Sequence, residues 1–135
     1  MSLNSLVQIK AEYEKLGAYN VKIIYLSGRI TLANSTEISG KLKKLFDDEN
    51  YNVIVDISNL QYLDSKGIAM LLSLEKTIKD NKGRLIITRA NEFIQELFNL
   101  TNLNTYFNFV ANIDEGRALF LSSDPQATDQ QATSG

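Results

Sequence analysis

Apolar and polar positions change rhythm several times along this chain, and each change marks an element. Residues 7–16, VQIKAEYEKL, mix the two types irregularly and predict a first strand, closed by a turn at Gly17. Residues 20–26, NVKIIYL, are rich in β-branched and aromatic types and predict a second strand ending at Ser27-Gly28. Two strands joined by so short a turn predict an antiparallel hairpin. The rhythm then becomes helical: Ile38, Leu42, Leu45 and Phe46 recur at helix spacing with Lys41, Lys43 and Lys44 between them. Asn34 or Ser35 supplies a cap, Glu37 suits the first turn, and the helix is expected to run to about Asp48.

From residue 52 the order is strand, helix, strand, helix, which favours parallel pairing through crossovers. A strand over 52–57 leads through a polar turn to a helix over 65–80, stopped by Asn81-Lys82-Gly83. Leu85–Thr88 predicts another buried strand, 91–100 a helix, 106–110 a short last strand and 113–121 a closing helix. The expected architecture is α/β: a mixed, mostly parallel sheet of four or five strands with an N-terminal hairpin and about four helices. Residues 1–6 form a leading segment and 7–121 one domain. Residues 122–135 have no large apolar side chain and are expected to be a disordered tail.

The helix over 65–80 has two faces. Ile68, Leu71, Leu74 and Ile78 form one stripe, flanked by Met70 and Leu72, with Glu75 near it as a blemish expected to sit at the edge or to reach out. Opposite lie Lys66, Ala69, Ser73, Lys76, Thr77 and Asp80. Ala69 and Ser73 are small and one turn apart, beside Lys66 and Met70, so another backbone can approach closely there. The start of this helix is Asp64-Ser65-Lys66-Gly67. The Ser65 hydroxyl can cap free backbone N–H groups, or Asp64 can be the cap and leave that hydroxyl exposed. Phosphorylation of Ser65 would add about −1.5 to −2 charges at this point.

Composition narrows the chemistry. The chain has no His and no Cys, which removes the usual transition-metal ligands, thiol nucleophiles and any Ser-His-Asp triad. Without cysteine a reducing, cytoplasmic setting is the simplest expectation. A net charge of −2 gives no electrostatic drive toward nucleic acid or anionic lipid. No apolar run approaches the roughly 20 residues of a membrane span. No phosphate-binding glycine motif occurs, and Gly28 and Gly40 read as a turn and a helix-surface residue. Asp56, at the end of a strand, lacks the neighbouring carboxylates a Mg²⁺-dependent phospho-acceptor needs and is expected to bind loop N–H groups instead. A binding protein without cofactor or metal, not an enzyme, is the expectation.

The residues VIVDIS, then Tyr62-Leu63-Asp64-Ser65-Lys66-Gly67-Ile68, resemble the STAS domains, in particular bacterial anti-sigma factor antagonists. Leu26–Thr31 and Ser35–Ile38 upstream, and Leu100–Leu103, Phe107 and Glu115–Leu119 downstream, are similar to other family segments, so the resemblance covers about 7–121. It implies that Ser65 is phosphorylated by an anti-sigma factor serine kinase. The unphosphorylated chain would bind that kinase and free the sigma factor, and a serine phosphatase would reset the cycle. Asp64, Lys66, Gly67, Ala69, Met70, Ser73 and Thr31 would contact the partner. Lys66 stands where a small residue is usual and Thr31 where an acidic one is often found. The rival expectation is a constitutive interaction module, in a signalling assembly or as a transporter's soluble subunit. A small-ligand sensor is a third class.

Overall fold

A computed structural model describes residues 7–123, in which six strands and four helices alternate. The predicted leading segment and tail lie outside the described residues, except for Ser122 and Ser123, which end and cap the last helix instead of starting a disordered tail. Strands β1 (Val7–Leu16) and β2 (Tyr19–Ile30) form the expected antiparallel hairpin, paired residue for residue from Val7↔Gly28 to Leu16↔Tyr19. Helix α1 (Ser35–Lys44) then crosses to β3 (Asn52–Asp56), which pairs parallel to β2. The short strand β4 (Leu60–Leu63) precedes α2 (Ser65–Asp80) and pairs parallel to the far end of β2. β5 (Arg84–Thr88), α3 (Glu92–Leu100), β6 (Phe109–Val110) and α4 (Ile113–Ser122) complete the chain. The main path of the sheet is β1-β2-β3-β5-β6, and every pairing but the hairpin is parallel.

The central strands are apolar on both faces, as a sheet covered on both sides requires. Val53, Val55, Leu85 and Ile87 face a large core built with Leu42 of α1, Leu71 and Ile78 of α2, and Ile94 and Phe98 of α3. Ile23, Ile54 and Ile86 face the other way, toward Phe120 of α4. Arg117 of α4 clasps Glu14 of β1 through two N–H donors at 2.9 and 2.6 Å, which holds α4 on the hairpin.

Several expectations need correction. The stretch read as polar turn before α2 contains β4, so the sheet has six strands. β2 continues past Ser27-Gly28, because Gly28 takes φ 96 and absorbs a shift in register instead of ending the strand. The last strand shrinks from 106–110 to Phe109–Val110. Helix α1 stops at Lys44. Beyond it, the fully buried Lys22 of β2 donates to the Leu45 carbonyl, to Asp48 Oδ1 at 2.8 Å and to the Asn50 carbonyl at 3.2 Å. A strand lysine thus gathers up the end of the helix and its exit loop.

Candidate functional site

β2 and β4 run parallel with Ile30 opposite Leu63, so the chain leaves both strands at the same place. Two loop exits therefore meet, and Asp64 joins them. Its backbone N–H donates to the Ile30 carbonyl at 3.2 Å. Its Oδ2 accepts the Leu32 N–H at 2.9 Å, while Oδ1 accepts the N–H groups of Lys66 at 2.9 Å and Gly67 at 3.1 Å. One carboxylate thus caps α2 and pins the β2–α1 loop. Desolvation acts to raise the Asp64 pKa, but the amides of Leu32, Gly67 and Lys66 outweigh it and hold the carboxyl below its ordinary value.

The loop that Asp64 pins is itself tied. Thr31 donates its N–H to Asn34 Oδ1 at 2.9 Å, and its hydroxyl accepts the Ala33 N–H at 3.2 Å. Asn34 is buried and donates from its amide to the Arg29 carbonyl at 2.9 Å. Its side chain is spent on the loop and gives α1 no side-chain cap, although the sequence pattern offered it as one. The result is a short, cross-braced loop that presents Leu32 to solvent with 69% of its surface exposed.

Ser65 follows the cap as the first residue of α2 and is exposed. Of the two capping arrangements the residues allowed, the structure has Asp64 as N-cap. The face of α2 beyond it carries Lys66, Ala69 and Ser73, all exposed. Two residues expected on that face lie beneath it. Gly67 is buried, and a Cβ there would come within 2.2 Å of Leu63 Cδ1 and 3.2 Å of Ile30 Cγ2. Met70 is buried against the core, so neither offers a side-chain surface to a docking protein. Helix geometry explains the error: Met70 flanks the apolar stripe on the side that α1 closes, and Met70 and Leu42 both line the groove between the two helices.

Pattern reading missed a second rim of this surface. Tyr62 of β4 stacks on Phe93 of α3 with ring centroids 5.7 Å apart, and the Arg29 guanidinium lies 4.6 Å from the Tyr62 ring. Phe93 remains 52% exposed. An aromatic at the first turn of a helix, outside its buried stripe, is the signal that could have pointed to it. At the other end of the loop, Asp56 does what was expected: its Oδ1 accepts the Ser58 N–H at 2.9 Å and the Thr88 hydroxyl at 3.0 Å.

The arrangement is an exposed surface with a hydroxyl at a helix start, small residues along the helix, and apolar and cationic side chains on its rims. Among the described residues no helix is long and apolar enough to cross a membrane. The family model of the STAS domain matches residues 12–116. The anti-sigma-B factor antagonist of Staphylococcus epidermidis is 27% identical over 85 residues, which cover 63% of this chain and 76% of that one. An anti-sigma factor antagonist from Mycobacterium paratuberculosis superposes with a TM-score of 0.74 at 16% identity, over 88% of this chain and 97% of that one. The Bacillus cell fate determinant SpoIIAA in its phosphorylated form superposes with a TM-score of 0.59 at 16% identity, over 80% of this chain and 96% of that one.

Proposed function

The chain belongs to the STAS domain family, and from that membership we propose that it is an anti-sigma factor antagonist switched at Ser65. Unphosphorylated, it binds an anti-sigma factor that is also a serine kinase, and so releases a sigma factor for transcription. Phosphorylation of Ser65 by that kinase ends the complex, and a serine phosphatase restores it. The relative in Staphylococcus epidermidis carries the same kind of activity in its name, and SpoIIAA exists in a phosphorylated form.

The observation that carries this reading is the division of tasks between Asp64 and Ser65. The first-turn amides of Lys66 and Gly67 are already engaged by Asp64 Oδ1, so the helix does not need the serine hydroxyl as its cap. The same occupancy decides what a phosphate would do. Those two donors are taken, and the residue that takes them, the adjacent Asp64, is itself a carboxylate. Two added negative charges would then stand at the centre of the docking face, opposing association through repulsion and desolvation while leaving the fold intact. Lys66, exposed and adjacent, offers one flexible cation to offset them. Thr31, Lys66, Ala69 and Ser73 contact the partner in this reading, with Leu32 and Phe93 as apolar anchors at the rims.

The test is capture of partners by wild type, Ser65→Ala and Ser65→Asp, with circular dichroism to verify that all three fold. Wild type and Ser65→Ala should retain a kinase-fold protein, and Ser65→Asp should lose it. Equal capture by all three would refute the switch and support a constitutive interaction module.

A further inference from the structure

Glu75 sits on the buried side of α2, at the end of the helix away from Ser65, and only 5% of its surface is exposed. Its Oε1 receives the Lys79 ammonium at 3.1 Å. Its Oε2 is buried and has no hydrogen-bond partner among the described residues. A carboxylate oxygen removed from water and left unpaired is costly, and native folds retain few of them. Glu75 also lines a cavity of about 250 Å³, with Lys79, Arg84, Tyr106 and Asn108 among its walls.

The contents of that cavity show which chemistry suits it. The Lys79 ammonium lies 5.1 Å from the centre of the Tyr106 ring while it contacts Glu75. A carboxylate and an aromatic face together already hold one organic cation, and that cation is the chain's own. Its hold is loose in the relevant sense, since the Lys79 side chain is 59% exposed on a flexible stem. The other cation of the wall is committed elsewhere: Arg84 donates to Ser123 Oγ at 2.7 Å and stands 5.5 Å from the Phe120 ring. Lys76, nearby on α2, is paired with Asp80 at 2.9 Å. Among the described residues, Lys79 is therefore the cation that pairs with Glu75. A buried carboxylate without a second fixed cation also excludes phosphates and other anions.

We propose that this cavity binds a small organic cation, a primary ammonium or a guanidinium, whose N–H groups satisfy Glu75 and whose charge lies on the Tyr106 ring. Lys79 is the placeholder that such a ligand displaces. The volume is below the roughly 300–1,000 Å³ of sites for drug-sized molecules, which suits a short diamine or guanidine. This site is separate from the Ser65 face and does not depend on the function proposed for it.

The experiment is a ¹H–¹⁵N titration of the full chain at low salt with putrescine and agmatine, using 1,4-butanediol as the uncharged control. Saturable shifts are expected at Gly83 and at Thr105–Asn108 with both cations and not with the diol. Glu75→Gln, close to isosteric, should weaken binding at least tenfold. Lys79→Met, an exposed change that removes the internal competitor, should tighten it severalfold. Absence of a saturable shift in the wild-type chain overturns the proposal, as do equal responses to diamine and diol, which would mark a cavity filled by water alone. Should Glu75→Gln fail to fold, Lys79→Met decides: binding no tighter than wild type refutes the displacement.

Discussion

Gly67→Ala and Gly40→Ala make the same chemical change in two helices and should have opposite effects. Alanine is favoured over glycine in a helix interior by up to about 1 kcal/mol. At Gly40, an exposed position of α1, an added methyl meets nothing within 4 Å, so the variant should be about 0.5–1 kcal/mol more stable than wild type. At Gly67 the same methyl comes within 2.2 Å of Leu63 Cδ1 and 3.0 Å of Leu63 Cγ. Leu63 is 1% exposed and packs in the main core, so moving its side chain aside disturbs that packing. Overpacking of this kind costs about 1–3 kcal/mol, which offsets or exceeds the propensity gain. The two variants should therefore differ by about 1–3 kcal/mol. Urea unfolding followed by far-UV circular dichroism measures that gap directly, and melting should show it as roughly 4–12 °C. The functional readout is independent of stability: Gly67 lies beneath the proposed docking face, so a folded Gly67→Ala chain that shifts Leu63 should also loosen Asp64 and weaken partner capture. Equal stability of the two variants would refute the packing argument, and with it the claim that this glycine sets how closely α2 approaches β4.

Two further outcomes follow from the hydrogen-bond geometry. The Asp64 carboxyl is held below the ordinary aspartate value of 3.8, so its contribution is fully present above that value and is lost as pH falls through the depressed one. The stability difference between wild type and Asp64→Asn should therefore shrink below about pH 4 in urea titrations; a difference independent of pH would show that the charge is immaterial. Lys22→Met keeps most of the buried stem but takes the lysine donor from the Leu45 and Asn50 carbonyls and leaves Asp48 Oδ1 with the Asn50 N–H but no cation. A loss of about 2–3 kcal/mol is expected in the same assay, with faster amide hydrogen exchange confined to residues 45–50; unchanged exchange there would sink the assignment of Lys22 as the clamp on that loop.

What could be read in the sequence follows the range of the forces involved. α2 and the buried strands β3 and β5 are specified by local rhythm and stand where that rhythm placed them; the hairpin forms as expected, but β2 runs on past its predicted end at Ser27-Gly28 to Ile30. β4 was invisible because four residues after a Ser-Asn turn carry no period of their own; they are a strand only because β2 continues past Gly28 to pair with them. The candidate site suffers the same loss, since its second rim and the Leu32–Asp64 bond exist only once β2 and β4 lie side by side. The loop that follows α1 is organised for a related reason by a distant residue: Lys22, more than twenty positions upstream, holds the Leu45 and Asn50 carbonyls and Asp48. Glu75 is the instructive case. Its nearness to the apolar stripe was legible as an anomaly, but whether it reached outward or stayed inside depended on Lys79 and on the arrival of Tyr106 from a distant turn.

Because the cap of α2 belongs to Asp64 alone, the neighbouring position carries almost no structural obligation. Serine, threonine, alanine or an acidic residue can stand at 65 with the helix start and the braced loop inherited unchanged. If Ser65 is the switch, a single codon then separates a reversible regulator from one locked on or locked off. Descendants of this chain can exchange those behaviours without first acquiring compensating mutations elsewhere. The carboxylate at 64 has no such freedom, and lineages that change their regulation should be found to keep it.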